Sequence, residues 1–148
     1  MATGRYTFGK EEHIVSKIQI DNLFEKGGSR ALSAFPIRAV YRLYERPIDD
    51  KVGVQVLLSV PKKHLHHAVS RNRVKRQLRE AYRLQKQTLR DALPEGLHLD
   101  VAFIWLSDQL SDTATVHQRV GNLLSRMAER IASSKESKNS VGHQQARR

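Results

Sequence analysis

The chain has 148 residues, 39% hydrophobic and 28% charged, which suits one domain with a modest core. It contains no cysteine, excluding disulfides, thiol catalysis and cysteine-ligated zinc. No apolar run approaches the ~20 residues that span a bilayer, and residues 1–10 lack the apolar core of a secretory signal, so a cytoplasmic protein is expected.

Residues 1–12 show no periodicity, and residues 1–15 are expected to form a flexible N-terminal segment. From Ser16 the pattern is helical: Ile20, Leu23 and Phe24 recur at three- and four-residue spacing, and Gly27-Gly28 supplies a stop. Over residues 34–44 the period becomes two. Phe35, Ile37, Ala39, Tyr41 and Leu43 share one face, and Pro36, Arg38, Val40, Arg42 and Tyr44 the other. Residues 45–51, with Pro47 and Asp49-Asp50, read as a polar turn. A second strand over 52–60 alternates Val52, Val54, Val56, Leu58 and Val60 with Gly53, Gln55, Leu57 and Ser59.

After Pro61 a long helix begins between His64 and Val69. Val74, Leu78, Ala81 and Leu89, with Tyr82 beside them, form its core stripe. Asn72, Arg76, Arg79 and Arg83 fall at i, i+4, i+7 and i+11, so they line another edge, flanked by Lys75 and Lys86. Pro94-Glu95-Gly96 closes the helix. Residues 97–106 read as a strand with Leu99, Val101, Phe103 and Trp105 on one face. Ser111 or Asp112 caps a last helix, whose apolar face is Val116, Val120, Leu123, Leu124, Met127 and Ile131. The composition then turns polar, predicting a disordered basic tail over 133–148. The pattern is one α+β sandwich over residues 16–132.

Charge narrows the function. Lys and Arg total 26 against 15 acidic residues, net +11. Between Lys62 and Arg90 the basic residues are Lys62, Lys63, Arg71, Arg73, Lys75, Arg76, Arg79, Arg83, Lys86 and Arg90, against Glu80 alone, so this stretch supplies +9 of the +11. A block of one sign exceeds what solubility requires and suits a polyanion, nucleic acid before membrane. Guanidinium groups at helical spacing match successive phosphates bidentately, and the Asn72 amide suits a 2′-hydroxyl or a base edge. A DNA-reading helix would need a helix-turn-helix or dimer element, and here a strand and Pro61 precede it. A membrane-surface helix would need free apolar bulk opposite the cations, and that stripe is committed to the core.

The run Ala68-Val69-Ser70-Arg71-Asn72-Arg73-Val74-Lys75-Arg76-Gln77-Leu78-Arg79 resembles the RNR signature of the ribonuclease P protein family. Ser59-Val60-Pro61-Lys62-Lys63 is similar to the family's strand exit, Ile20-Asp21-Asn22-Leu23-Phe24-Glu25-Lys26-Gly27 to its first helix and Val40-Tyr41 to its first strand. The likeness covers residues 17–131. It implies the order αβββαβα, a fold like domain 2 of ribosomal protein S5, and a left-handed βαβ crossover around the long helix.

The resemblance also implies a role: the protein subunit of a ribonucleoprotein that removes the 5′ leader of precursor tRNA. Lys62, Lys63, Arg71, Asn72, Arg73, Lys75, Arg76, Arg79 and Arg83 would contact the catalytic RNA. Ile20, Phe24, Tyr41, Gln55 and Leu57 would line a cleft for the single-stranded leader, where aromatic stacking tolerates any base. Hydrolysis would belong to the RNA and its Mg2+ ions. No metal held by the protein, no membrane contact and no obligate protein partner are expected.

Two features depart from the family pattern. Ile20 stands where an aromatic residue is common, and His64-Leu65-His66-His67 replaces smaller residues. No protein active site is expected either. Glu11-Glu12 and Asp49-Asp50 adjoin loops without partners that would hold two metals, and His13, His98 and His117 have no paired nucleophile.

Overall fold

A computed structural model describes residues 8–25, 28–46 and 52–145, with side chains as far as residue 133. The elements are α1 (Lys17–Phe24), β1 (Arg30–Ala34), β2 (Ile37–Glu45), β3 (Val54–Ser59), α2 (Ala68–Gln85), α3 (Gln87–Ala92), β4 (Leu97–Trp105) and α4 (Thr113–Gln145), after a 3-10 turn at Lys10–Glu12. This is the α+β order expected, with α3 as a short continuation of the long helix. Gly27 and residues 47–51, where a stop and a polar turn are expected, lie outside the described residues.

The four strands pair in the order β1-β2-β4-β3. β1–β2 and β2–β4 are antiparallel, whereas β3–β4 is parallel. A parallel neighbour cannot be reached by a hairpin, so α2 and α3 form the crossover between β3 and β4. β1 escapes the periodicity argument because Leu32 is its one buried residue; its pairing with β2 forms it, not an alternating pattern. Phe35-Pro36, joined by a cis peptide bond, makes the turn between them.

Two helices cover one face of the sheet and one covers the other. Ile37, Ala39, Tyr41, Val54, Val56, Leu99, Val101, Phe103 and Trp105 join Val74, Leu78, Tyr82, Val120, Leu123, Leu124 and Met127 in the main core between the sheet and α2 and α4. Burying each large side chain stabilises the fold by about 1.5–3 kcal/mol relative to exposure. Gly121 lets α2 and α4 approach closely, since a Cβ there would collide with the Gln85 amide. That amide donates to the His117 carbonyl at 3.0 Å. On the opposite face, Leu23 of α1 meets Ile14, Val40 and Ala102, with Ile20, Leu57 and Ile104 packed around them. β4 is therefore sandwiched, which is why its residues 98–103 are all buried.

Both predicted ends need correction. Residues 8–15 are not a loose leader. Phe8 stacks on His13, ring centroids 4.0 Å apart, His13 bridges to Val56, and Ile14 is buried. The Lys86 ammonium, 1% exposed, holds Glu12 at 2.7 Å. These isolated apolar residues have no local period and find partners only in the folded chain. At the other end α4 continues through Gln145, past the predicted stop near Ala132; residues 146–148 lie outside the described residues. The apolar series ends at Ile131, but no proline follows it to break the backbone ladder.

Candidate nucleic-acid interface

α2 presents two chemically opposite edges. Val74, Leu78, Ala81 and Tyr82 are at most 2% exposed. Gln77, buried beside them, donates from Nε2 to the Ser111 carbonyl at 3.0 Å and to Thr113 Oγ1 at 3.2 Å, fastening α2 to the start of α4. Asp112 caps that start by accepting from the Thr115 N–H at 2.8 Å, and hydrogen bonds from the Thr115 side chain and then its N–H hold the carboxyl below the usual range. Around the other side, Asn72, Arg73, Lys75 and Arg76 are exposed and Arg79 and Arg83 half-exposed, with Lys62 and Lys63 exposed at the approach.

Three of the sequence's cations have a more specific setting. Arg71 Nη1 donates to the Leu65 and His66 carbonyls at 3.0 and 2.7 Å, so it also folds the loop that launches α2. Arg83 pairs with Glu80 one turn earlier, and their hydrogen bonds hold the Glu80 carboxyl low and the guanidinium high. Lys86 leaves the cationic edge altogether: it is buried against Glu12. Of the histidines before α2, His64 Nδ1 lies 2.8 Å from Asp108, tying the loop after β3 to the loop after β4, while His66 and His67 are exposed.

The face under α1 differs from expectation at one residue. Tyr41 is 4% exposed and faces the main core, away from α1. It therefore does not line the predicted leader cleft. Alternation along β2 separates Tyr41 from Val40, and it is Val40, with Arg38, Arg42 and Tyr44, that shares the α1 side. Ile20 and Leu57 are on the α1 face and half-buried against each other's neighbours. Phe24, at the end of α1, is 48% exposed.

Gln55 belongs to a buried polar network that patterning alone did not reveal. The Asp100 carboxylate, fully buried, accepts from Gln19 Nε2 at 3.1 Å and from the Tyr44 hydroxyl at 3.0 Å, and lies 2.8 Å from His98 Nε2. Gln19 Nε2 also donates to Gln55 Oε1 at 2.7 Å, and Gln55 Nε2 to the Glu11 carbonyl at 2.9 Å. Taking a carboxylate out of water is tolerable only with such donors. The network pins the first turn of α1 to the sheet. The alternation of His98, Asp100 and Ala102 against an apolar face was the available signal, but it suggests a solvent-facing side just as well.

Burial, then the nearby Asp100 charge, pushes the Tyr44 phenol up from 10.0 to about 12. The unfolded chain releases this proton near pH 10 and the folded chain holds it, so this contribution to stability is full below pH 10 and is lost as pH rises through about 12. Tyrosinate absorbance in Asp100→Asn is expected to move the Tyr44 transition partway back toward 10, because burial persists. An unmoved transition would remove Asp100 as a cause.

Among the described residues no group of three His, Cys, Asp or Glu side chains is arranged to hold a metal ion, and no described helix is long and apolar enough to cross a membrane.

Comparison with known proteins agrees with this geometry. The ribonuclease P family model matches residues 8–128. The ribonuclease P protein component of Porphyromonas gingivalis W83 is 40% identical over 132 residues, 86% of this chain and 93% of that protein. That of Chlorobium phaeobacteroides is 42% identical over 78 residues, 46% of this chain and 53% of its own length. Two solved structures share the fold. The RNase P protein of Thermotoga maritima superposes with a TM-score of 0.59 at 22% identity, over 78% of this chain and 96% of that one. The Staphylococcus aureus protein does so at 0.57 and 18% identity, over 78% and 94%. The chain belongs to the ribonuclease P protein family, as the non-catalytic protein subunit of the ribonucleoprotein that processes precursor tRNA.

Proposed function

We propose that the exposed edge of α2 docks on the catalytic RNA and that the α1 face of the sheet receives the single-stranded 5′ leader. The observation that carries this reading is the division of α2: one edge sealed in the core, the other offering Arg73, Lys75, Arg76 and Arg79 to solvent, with Lys62 and Lys63 on its approach. Charge-assisted hydrogen bonds from these groups to phosphate supply affinity, and release of condensed counterions makes it salt-dependent. Arg71 contributes charge while bracing the loop, and Arg83 does so with part of its donor set held by Glu80. Asn72 is exposed in their midst and suits a 2′-hydroxyl.

On the leader side, Phe24 supplies a ring, Ile20 and Leu57 an apolar floor, and Gln55 holds α1 in place through Gln19. Mg2+ ions held by the RNA subunit would supply the Lewis-acid chemistry of hydrolysis. The protein positions the leader and screens phosphate repulsion, a contribution of binding and orientation. With RNA for both partners, its setting is the cytoplasm.

The test is cleavage of 5′-labelled precursor tRNA at low magnesium by the protein alone, the RNA subunit alone and both together. Cleavage at the mature 5′ end only in the joint reaction is expected. Lack of stimulation by folded protein would defeat the proposal, and cleavage by protein alone would relocate the chemistry. Within the holoenzyme, Phe24→Ala is expected to reduce the preference for leader-bearing substrate about tenfold, in line with the loss of one base–aromatic stack. Tyr41→Phe is expected to leave that preference unchanged and to raise stability by about 1 kcal/mol, since the Tyr41 hydroxyl is buried with no hydrogen-bond partner among the described residues. Competition between precursor and mature tRNA reads both variants.

A further inference from the structure

The turn between β1 and β2 carries an exposed aromatic ring in a cationic setting. Ala34 and Ile37 are paired, so Phe35 and Pro36 form the apex. Phe35 is 67% exposed, while Pro36 is buried. Burying a phenylalanine side chain is worth about 1.5–3 kcal/mol, and this one forgoes most of that.

The apex beneath the ring is held on three sides. Arg119 Nε of α4 donates to the Phe35 carbonyl at 3.1 Å, and Arg126 Nη1 donates to the Ser33 carbonyl at 2.8 Å. The Leu106 N–H donates to the Pro36 carbonyl at 2.8 Å. Arg126 also reaches Asn122 Oδ1 at 3.4 Å. Each guanidinium has five N–H donors, so most remain available at these partly exposed side chains. Arg38, exposed, stands opposite Ser33 in the hairpin register. Among the described residues no carboxylate lies within ion-pair distance of Arg38, Arg119 or Arg126.

Topology places this apex on the same end of the sheet as the start of the RNR helix. β1 ends there, β2 begins there, and β3 and β4 end there. With the order β1-β2-β4-β3 and strands about 4.8 Å apart, the apex lies roughly 12 Å across the sheet end from the exit of β3 toward Lys62 and Lys63. The loop after β4 fills the interval, tied to the loop after β3 through His64–Asp108 and to α2 through Gln77–Ser111. The cations of the hairpin and of the α2 approach therefore share one end of the molecule.

We propose that Phe35, with Arg119 and Arg126, forms a second RNA-binding site, which stacks one unpaired base on the ring and holds the adjoining phosphates. An aromatic face beside unpaired guanidinium groups is the chemistry of single-strand recognition. The site extends the RNA footprint past α2 and rests on the reading that this end of the protein meets RNA. The base belongs either to an unpaired segment of the catalytic RNA or to the precursor leader.

The experiment uses reconstituted holoenzyme with Phe35→Ala, Phe35→Trp and Phe35→Leu, and Arg76→Ala alongside. Affinity for the RNA subunit is measured in one arm. Affinity of the holoenzyme for precursors with long and short leaders is measured in the other. Phe35→Ala is expected to weaken one of the two by about 5- to 150-fold, Phe35→Trp to retain binding and Phe35→Leu to lose it. A loss in the first arm assigns the base to the catalytic RNA; a loss confined to long leaders assigns it to the leader. Wild-type affinity of Phe35→Ala in both arms, or a Phe35→Leu variant as strong as Phe35→Trp, would overturn the site. If Arg76→Ala weakens RNA binding while Phe35→Ala does not, the α2 interface stands and this site falls. If neither does, both fall.

Discussion

Replacing Arg76 and Arg79 together by alanine is expected to weaken binding to the RNA subunit on the order of 100-fold at moderate salt, without lowering the melting temperature. Each substitution removes a cation able to make charge-assisted hydrogen bonds worth about 1.5–3 kcal/mol apiece, and two such losses reach or exceed that factor. Neither side chain supports the fold: Arg76 is exposed and Arg79 half-exposed, and both lie on the edge of α2 away from Val74 and Leu78. The plot of log affinity against log salt should lose roughly one unit of slope for each phosphate contact removed. The measurement is a filter-binding or fluorescence titration across a salt series, with thermal unfolding in parallel. An unchanged slope would mean that these arginines do not meet phosphates.

Asp100→Ala is expected to act in the opposite way, damaging the fold first. Asp100 is fully buried and serves Gln19, Tyr44 and His98. Its removal leaves buried polar groups without their acceptor and empties space beneath α1. Breaking a buried ionic network by deleting one partner costs about 3–5 kcal/mol, which for a domain of this size lowers the melting temperature by roughly 10 °C. Because Gln19 is the member contributed by α1, local loosening should begin at that helix. Below the melting transition the variant should still bind the RNA subunit through α2 while discriminating poorly between precursor and mature tRNA. Hydrogen exchange localises the effect: faster exchange confined to α1 and to β4 near Asp100 fits, whereas uniform acceleration would mean that the network has no special hold on α1. Asp100→Asn keeps an acceptor oxygen and should fall between the variant and the wild type.

The two substitutions separate what each surface does. Arg73, Lys75, Arg76 and Arg79 can be replaced without disturbing the buried edge of α2, because these cations and the apolar stripe do not overlap. The α1 face has no such separation: Gln55 and Gln19, which line the proposed leader side, are also the ties that hold α1. Variants on that face must therefore be judged by stability as well as by substrate preference. Phe24, exposed at the end of α1 and outside the network, is the cleaner probe.

The long helix and its two stripes are legible in the order of residues alone, because a 3.6-residue period and a run of like charge are local properties. So are α4 as far as Ile131, and β3 and β4, where alternation or a continuous apolar run is unbroken. Tertiary pairing decided the rest. β2 offers Val40 and Tyr44 beside Arg38 and Arg42 on one face and Ile37, Ala39, Tyr41 and Leu43 on the other, so alternation separates Tyr41 from Val40 without saying which lies under α1; packing against α2 and α4 assigns Tyr41 to the main core. Lys86 falls at the right interval for the cationic edge, yet the bend into α3 and the docking of Glu12 bury it. The segment before α1 has no period at all and takes its order from distant partners, among them Val56, Tyr82 and Lys86, 43 to 74 positions away. His98 and Asp100 look like solvent-facing polar residues on a strand until α1 closes over them. In each case the deciding contact joins residues far apart in the chain, and local patterning carries no information about such partners.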